Sequence, residues 1–562
     1  MKLFATAILF IILPSPIYAA GTYEAASCSY ADVNAVINGP THTLAAGDTI
    51  IIPACGSTTW TSALTIAVPN SSSNTTVTTL MGQTVCTGSG DPAYNNLSCT
   101  DNTTIMNNVP GNNPMINIVP PATGEFRLTG LTMGSSVEVY HGYVNVSTPS
   151  GTGSVNPGVR IDHNHWLGAN GGTGDLEFDG WEYGVVDHNI FYAISNDENM
   201  IRVYNGAYWN NATDDFGHAA WADSAFFGSN KAIYIEQNYF YSSTSGGTGY
   251  QIIEDCATGG HFAARFNTLG YHMTGYTHGT SGGSTSTRGC RALELYANNA
   301  DWDSSGATTN STGIMNAESG TGLIWGNTLA HQAYVLNEDY TRKNIGGGGY
   351  SQTAPPNGWG YCGTDESTQT TDSAWDQNAN TATGYACLDQ PGRGKGDLLE
   401  GNFPSVCDKT AGCQSYSGTW PNQALEPYYM WDNTVGAGFS AYWSHSDDHA
   451  VMSNNQDYYF PCGTYNSSCS NFTGATGVGQ GTYASIPATC TSGVAYWATD
   501  QGSWNTSGNG FGQGQLYICA NGAWPAVGSP SYTPYTYPHP LSQSQSSGSL
   551  PAAPTNLAAT VQ

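Results

Sequence analysis

One short phrase returns along the middle of this chain: a run alternating apolar and polar residues, then Asn, then an apolar or aromatic residue. It reads Val159-Arg160-Ile161-Asp162-His163-Asn164-His165-Trp166 and Gly184-Val185-Val186-Asp187-His188-Asn189-Ile190-Phe191. It returns in the phrases ending on Asn238-Tyr239-Phe240, Asn267-Thr268-Leu269 and Asn327-Thr328-Leu329. The asparagines fall near one or two multiples of a unit of roughly 25–30 residues, and repetition at that period predicts a solenoid. Alternation of period two predicts strands, and no helical pattern of useful length separates them, which excludes βαβ units. Strands stacked in parallel without crossover helices must coil, each turn touching only its neighbours. The expected fold is all-β, a right-handed parallel β-helix with an N-terminal cap and disulfide-stapled loops. The recurring Asn is expected at a fixed bend, in a tight or left-handed conformation, its amide stacked on the next coil.

Strand text of this kind resembles the pectin-lyase-like superfamily over about Ser29 to Gly436. Helical spacing in Ser29-Tyr30-Ala31-Asp32-Val33-Asn34-Ala35-Val36-Ile37, followed by Ala46-Gly47-Asp48-Thr49-Ile50, is similar to the entry of such β-helices, where a short helix closes the open end. The segment Arg160-Ile161-Asp162-His163 is similar to the Ile-Asp-His segment of pectate lyases, and that resemblance makes Asp162, with its repeat counterpart Asp187, a Ca²⁺-ligand candidate. The chain carries no Arg-x-Pro-x-x-Arg of pectate lyases, and the marker motifs of polygalacturonases do not occur in their order.

Ahead of the repeats, residues 1–20 have a basic start, an apolar run and Tyr18-Ala19-Ala20, the pattern of a signal peptide, so a secreted, extracellular protein is expected. Fourteen cysteines suit such a compartment. Sequence neighbours suggest Cys28–Cys55, Cys86–Cys99, Cys256–Cys290, Cys362–Cys387, Cys407–Cys413, Cys462–Cys469 and Cys490–Cys519, with connectivity left open. The coil is expected over 21–460, interrupted by an insertion at about 345–425. A Cys- and aromatic-rich cap region follows over 461–541, then a flexible tail over 542–562.

A formal net charge of −28 excludes nucleic acid and anionic membrane surfaces as partners. It also disfavours an acidic polysaccharide unless Ca²⁺ bridges the like charges. Charged residues are 10% of the chain, so its polar surface is built from Asn, Thr, Ser and Tyr, which suits contact with sugars. The oligomeric state is not legible.

A second strand type is expected about ten residues ahead of the Asn phrase: Asp175-Leu176-Glu177-Phe178-Asp179, Met200-Ile201-Arg202-Val203-Tyr204, Gln251-Ile252-Ile253-Glu254-Asp255, Arg291-Ala292-Leu293-Glu294-Leu295 and Gly313 to Glu318. Alternation turns Glu177, Asp179, Arg202 and Tyr204 outward, and Glu254 and Glu294 are placed outward with them, although the Gln251 strand allows either phase. Stacked coils then build one strip of Glu177, Asp179, Arg202, Glu254, Asp255 and Glu294 as candidate catalytic residues, with Arg160, Tyr204, Arg291 and Trp181 as sugar-binding candidates. Carboxyls one or two coils apart fall near the roughly 5–9.5 Å that glycosidases use. The same row could hold Ca²⁺ for β-elimination, with Arg202 taking the proton. The expected activity is cleavage of an extracellular polysaccharide by hydrolysis or β-elimination. The other reading is a non-catalytic glycan-binding or adhesive surface protein. His445-Ser446-Asp447-Asp448-His449, beyond the regular repeats, is a further metal candidate.

Overall fold

The computed structural model describes residues 20–544, apart from 205–224, 243–250, 278–288, 301–309, 339–390, 393–406, 414–424, 446–453, 463–470 and shorter gaps at 40–41, 94–95, 140–141, 149–155, 170–173, 181, 194–198, 271–272, 330–331, 409–411 and 437–438. The proposed signal peptide and most of the expected insertion therefore lie outside the described residues.

Three parallel sheets carry the chain, of twelve, seven and ten strands, here sheets 1, 2 and 3. The chain visits them in turn and comes back to sheet 1 beside the strand it left. Asn156–Asp162, His165–Ala169 and Leu176–Asp179 make one such circuit, and Glu182–Asp187, Ile190–Ala193 and Asn199–Tyr204 the next. This all-β architecture is compatible with a β-helix.

The corner between sheets 1 and 2 sets the register. Asn164, Asn189, Asn238, Asn267, Asn298, Asn327 and Asn433 follow one another there. From Asn189 on, each side-chain Oδ1 accepts the backbone N–H and the Nδ2 of the asparagine one coil earlier, as Asn238 does for Asn189 at 2.9 and 3.0 Å. Each Nδ2 also donates to a backbone carbonyl of the previous coil, such as Val186 O at 2.9 Å from Asn238. Buried backbone groups at a bend have no strand partner, and this amide pays their desolvation in full.

Two sequence expectations change here. The left-handed residue is the one before the Asn: His163, His188, Gln237, Phe266, Ala297, Gly326 and Asp432 have φ between 53° and 65°. Asn298 also fills the double interval between Asn267 and Asn327, so Arg291 to Leu295 begins an Asn phrase of sheet 1. The long step from Asn189 to Asn238 is a single circuit, because the two asparagines bond directly.

Inside the coil, alternate side chains stack by type. Trp166, Phe191 and Phe240 lie ring on ring at 5.2 and 4.8 Å, and Leu128, Ile161, Val186, Ile235 and Leu295 fill the sheet 1 side. The end is closed as expected by the helix Tyr30–Ile37, where the Ser29 hydroxyl accepts Asp32 N–H and Val33 and Ile37 enter the core. Cys28–Cys55, Cys86–Cys99, Cys256–Cys290 and Cys490–Cys519 are disulfides. Cys407 and Cys413 face each other in a short antiparallel pair. The proposed partners Cys362, Cys387 and Cys469 lie outside the described residues.

The C-terminal region folds back. A three-stranded sheet of Val478–Gly481, Ala495–Ala498 and Gln515–Ile518 and the stretch from Tyr532 to Ser544 cover the outer face of sheet 1. Trp325 stacks between Tyr296 and Trp431 at 4.5 and 5.5 Å, and Trp497, Trp504, Tyr532 and Tyr537 join the same cluster. Ser542, expected to open a flexible tail, is buried in the helix Pro540–Ser544.

Replacing Asn238 by Ala strips Asn189 N–H and Val186 C=O of their partners in a buried corner. We expect a loss of roughly 3–5 kcal/mol of stability, at about 1–3 kcal/mol per orphaned group, measured by chemical denaturation; a loss below about 1 kcal/mol would contradict the ladder's role.

Candidate functional site

Sheet 3 presents one polar row outward. Register aligns Asn145, Glu177, Arg202, Asp255 and Tyr276, one per strand, and Asp179 lies beside Tyr204 two residues along. Leu176, Phe178, Ile201 and Val203 point into the core between them, which fixes the phase by burial.

Arg202 is the hub. Its Nη1 donates to Glu177 Oε2 at 3.0 Å, and its Nη2 to the Tyr204 hydroxyl at 2.6 Å. Its Nε is 3.9 Å from Asp255 Oδ2, and its guanidinium lies 4.6 Å from the Tyr204 ring centre. The Tyr204 hydroxyl donates onward to Asp255 Oδ2 at 3.1 Å, where Asn199 Nδ2 donates as well. Glu177 and Asp255 side chains are 2% and 1% exposed against 16% for Arg202, so a ligand meets the guanidinium edge first. Burial works against the Arg202 charge, but Tyr204, Glu177 and Asp255 hold its pKa above the usual value. Burial and the Asp255 charge push the Tyr204 hydroxyl well up, against the pull of Arg202. At neutral pH Tyr204 is thus a proton donor.

The other expected members of the strip lie elsewhere. Glu254 stands opposite Ile201, an inward position. It is fully buried, and neither carboxyl oxygen has a hydrogen-bond partner among the described residues. Burial, then the Asp255 charge, raises its pKa well above the carboxylate range. A Cβ on Gly275 would come within 2.1 Å of Glu254 Oε1, so the glycine makes the room this side chain occupies. The sequence allowed both phases of that strand, and its unshifted pairing with Asn199–Tyr204, which sets Glu254 on Ile201 and Asp255 on Arg202, decides it.

Glu294 is on sheet 1, under the C-terminal region. Its oxygens accept Gly228 N–H at 2.8 Å and the Tyr532 hydroxyl, and burial raises its pKa. Arg291, also buried, has Nη1 2.6 Å from Glu426 Oε2. Trp181 lies outside the described residues, as do Ser446 to His449; His445 ends a sheet 3 strand opposite Glu338, within the repeats rather than beyond them.

Asp162, Asp187 and Arg160 sit on the outer face of sheet 1. Arg127 Nε donates to Asp162 Oδ1 at 2.7 Å, and Arg160 binds Asp187 through Nε and Nη2 at 2.9 and 2.7 Å. His163 and His188 each contact their neighbouring carboxylate through Nδ1, and the two rings stack at 4.9 Å. Burial pushes both carboxyls up, but the Arg160 charge and the surrounding hydrogen bonds hold both below the usual range. Guanidinium and imidazole donors take the oxygens a cation would need, so this set does not fit Ca²⁺. Among the described residues no three His, Cys, Asp or Glu side chains group as a metal site.

Sequence reasoning passed over the half-buried Tyr192 and Tyr241 on the outer face of sheet 2, one coil apart with ring centres 4.7 Å apart. Both occupy the third position of the strand after the Asn. Among the tryptophans, Trp166 is interior, and Trp209, Trp221 and Trp302 lie outside the described residues. No helix is long and apolar enough to cross a membrane among the described residues. Compared with protein-family models, curated proteins and solved structures, the chain matches none.

Glu254 gives a pH-dependent prediction. Its folded pKa lies above the unfolded value of about 4.3, so the fold binds the extra proton and loses stability as pH rises past that value. Glu254→Met should raise stability at pH 7 by on the order of 3 kcal/mol, the gain shrinking as pH falls toward about 4. Denaturation midpoints across pH check this, and a variant less stable than the parent at pH 7 contradicts it.

Proposed function

We propose that the chain is a secreted right-handed parallel β-helix of the pectin-lyase-like kind that binds an extracellular polysaccharide across the outer face of sheet 3. The observation that carries this reading is the partly exposed Arg202 guanidinium, stacked on Tyr204 and held in place by the buried Glu177 and Asp255. A preorganised cation beside an aromatic ring offers donors to sugar hydroxyls at little entropic cost. Tyr192 and Tyr241 on sheet 2 add half-exposed rings of the type that packs on sugar faces. The disulfides are compatible with an extracellular location. Every acidic side chain of the Arg202 cluster is engaged, which favours binding over an acid–base pair waiting for substrate.

Cleavage is a second reading, favoured by one observation. Glu177 and Asp255 stand two strands apart, with Cα atoms separated by roughly 9.6 Å, and Tyr204 links Asp255 to Arg202. In β-elimination the charged Arg202 guanidinium would meet a uronate carboxylate, the Glu177 carboxylate beside it would take the proton alpha to that group, and Tyr204 would protonate the oxygen that leaves as the C–O bond breaks. In hydrolysis the two carboxyls would flank the bond. Neither step uses a metal.

The mature protein should be retarded by at least one polysaccharide in a panel of neutral and acidic polymers run by affinity electrophoresis, and Arg202→Ala should weaken that retardation about tenfold, or about 1.4 kcal/mol. Reducing ends and ultraviolet-absorbing unsaturated ends, assayed in the same samples, report cleavage. No retardation by any polymer would overturn the proposal.

A further inference from the structure

Away from sheet 3, a cleft of about 320 Å³ opens where the corner between sheets 1 and 2 meets the C-terminal region. Its walls are the corner residues Phe266, Ala297 and Gly326, the half-buried Phe511, and the polar side chains Asp91, Thr328 and Asn509. The volume sits at the lower end of the about 300–1,000 Å³ of small-molecule sites. Phe266 and Phe511 meet edge to face at 5.3 Å, giving the cleft an apolar wall.

Asp91 supplies the polar end. It is 2% exposed, and its Oδ2 accepts the Tyr537 hydroxyl and Asn509 Nδ2, both at 2.7 Å. Its Oδ1 accepts Ala93 N–H at 2.9 Å. A carboxylate accepts about four hydrogen bonds, so Oδ1 retains capacity for one more donor. Two side chains fix its orientation in advance, which is how a binding group is preorganised. The loop carrying Phe511 is likewise held without help from its ring: Asn509 Oδ1 accepts Phe511 N–H at 2.9 Å and Asn505 Nδ2 donates to Phe511 O at 2.9 Å.

We propose that this cleft is a second carbohydrate site, one that takes the neutral end of a mono- or disaccharide. A sugar ring matches both kinds of wall, its C–H face lying on the phenyl groups and its hydroxyls reaching Asp91, Asn509 and Thr328. An acidic sugar would set its carboxylate against Asp91. An alkylammonium would leave the Thr328 and Asn509 polar groups unused. The site is independent of the sheet 3 reading, since no residue is shared.

The test is calorimetric titration of the full chain with glucose, galactose, mannose, xylose, cellobiose, lactose, maltose and galacturonate. One or more neutral sugars should bind and galacturonate should not. Phe511→Ala removes a wall, and Ala93→Trp, at an exposed position on the rim, fills the cleft without touching the core; each should weaken binding at least tenfold. Arg202→Ala should leave it unchanged, which separates this site from the sheet 3 face. Absence of neutral-sugar binding, or binding that survives both cleft variants, would overturn the proposal.

Discussion

A coiled chain has to turn a buried corner on every circuit, and each turn leaves backbone N–H and C=O groups without strand partners. Here one side chain answers that constraint repeatedly. An asparagine amide has both a donor and an acceptor end, so it can take the N–H of the coil before it and give to that coil's carbonyl. The residue ahead of it adopts the left-handed conformation that aims the amide inward, at a cost of about 1–2 kcal/mol for a residue with a side chain. A slip of one residue would break the amide chain and turn the interior residues outward. The ladder therefore fixes which residues meet on every outer face.

The outer faces have different fates. Where the C-terminal region covers sheet 1, Arg265 and Glu236 are fully desolvated and matched. Arg265 donates to Glu236 at 2.8 Å, to the Tyr296 hydroxyl at 2.8 Å and to the carbonyls of Tyr535 and Thr536 at 2.7 and 2.9 Å, while His539 N–H caps the other Glu236 oxygen at 2.7 Å. Burial, helped by the Arg265 charge, pushes His539 down to about 3, so it remains neutral there. Removing one partner of such a network costs about 3–5 kcal/mol, which gives it a docking role for the C-terminal region. On sheet 3 the same chemistry is left at the surface, with Arg202 as its accessible member.

Much of the architecture was legible because it repeats. Period-two alternation and a recurring Asn give strands and their stacking, and the entry helix shows its cap in Ser29 and Asp32. Asn298 escaped because Asn299 and Ala300 follow it where the other phrases close on an aromatic residue or Leu, and Asn433 because the expected insertion at about 345–425 separates it from the other phrases. Missing Asn298 put Glu294 in the wrong sheet. Glu254 was misplaced because Ile252, Ile253 and Cys256 permit either phase, and only the pairing with Asn199–Tyr204 chooses between them. The charges of sheet 1 read as an open face because nothing in Tyr532 to Leu541 announces that this segment returns to lie on Val185, Tyr234 and Ala263.

The central claim is that the amide ladder runs unbroken through residues remote in the chain, and its severest case is Asn327 with Asn433. Asn433 Oδ1 accepts Asn327 N–H and Nδ2 at 3.1 and 2.9 Å across a separation of 106 residues. A double-mutant cycle with Asn327→Ala and Asn433→Ala, followed by chemical denaturation, measures that contact directly. Coupling of about 1–3 kcal/mol is predicted; single-site losses that add to within about 0.5 kcal/mol would contradict the account.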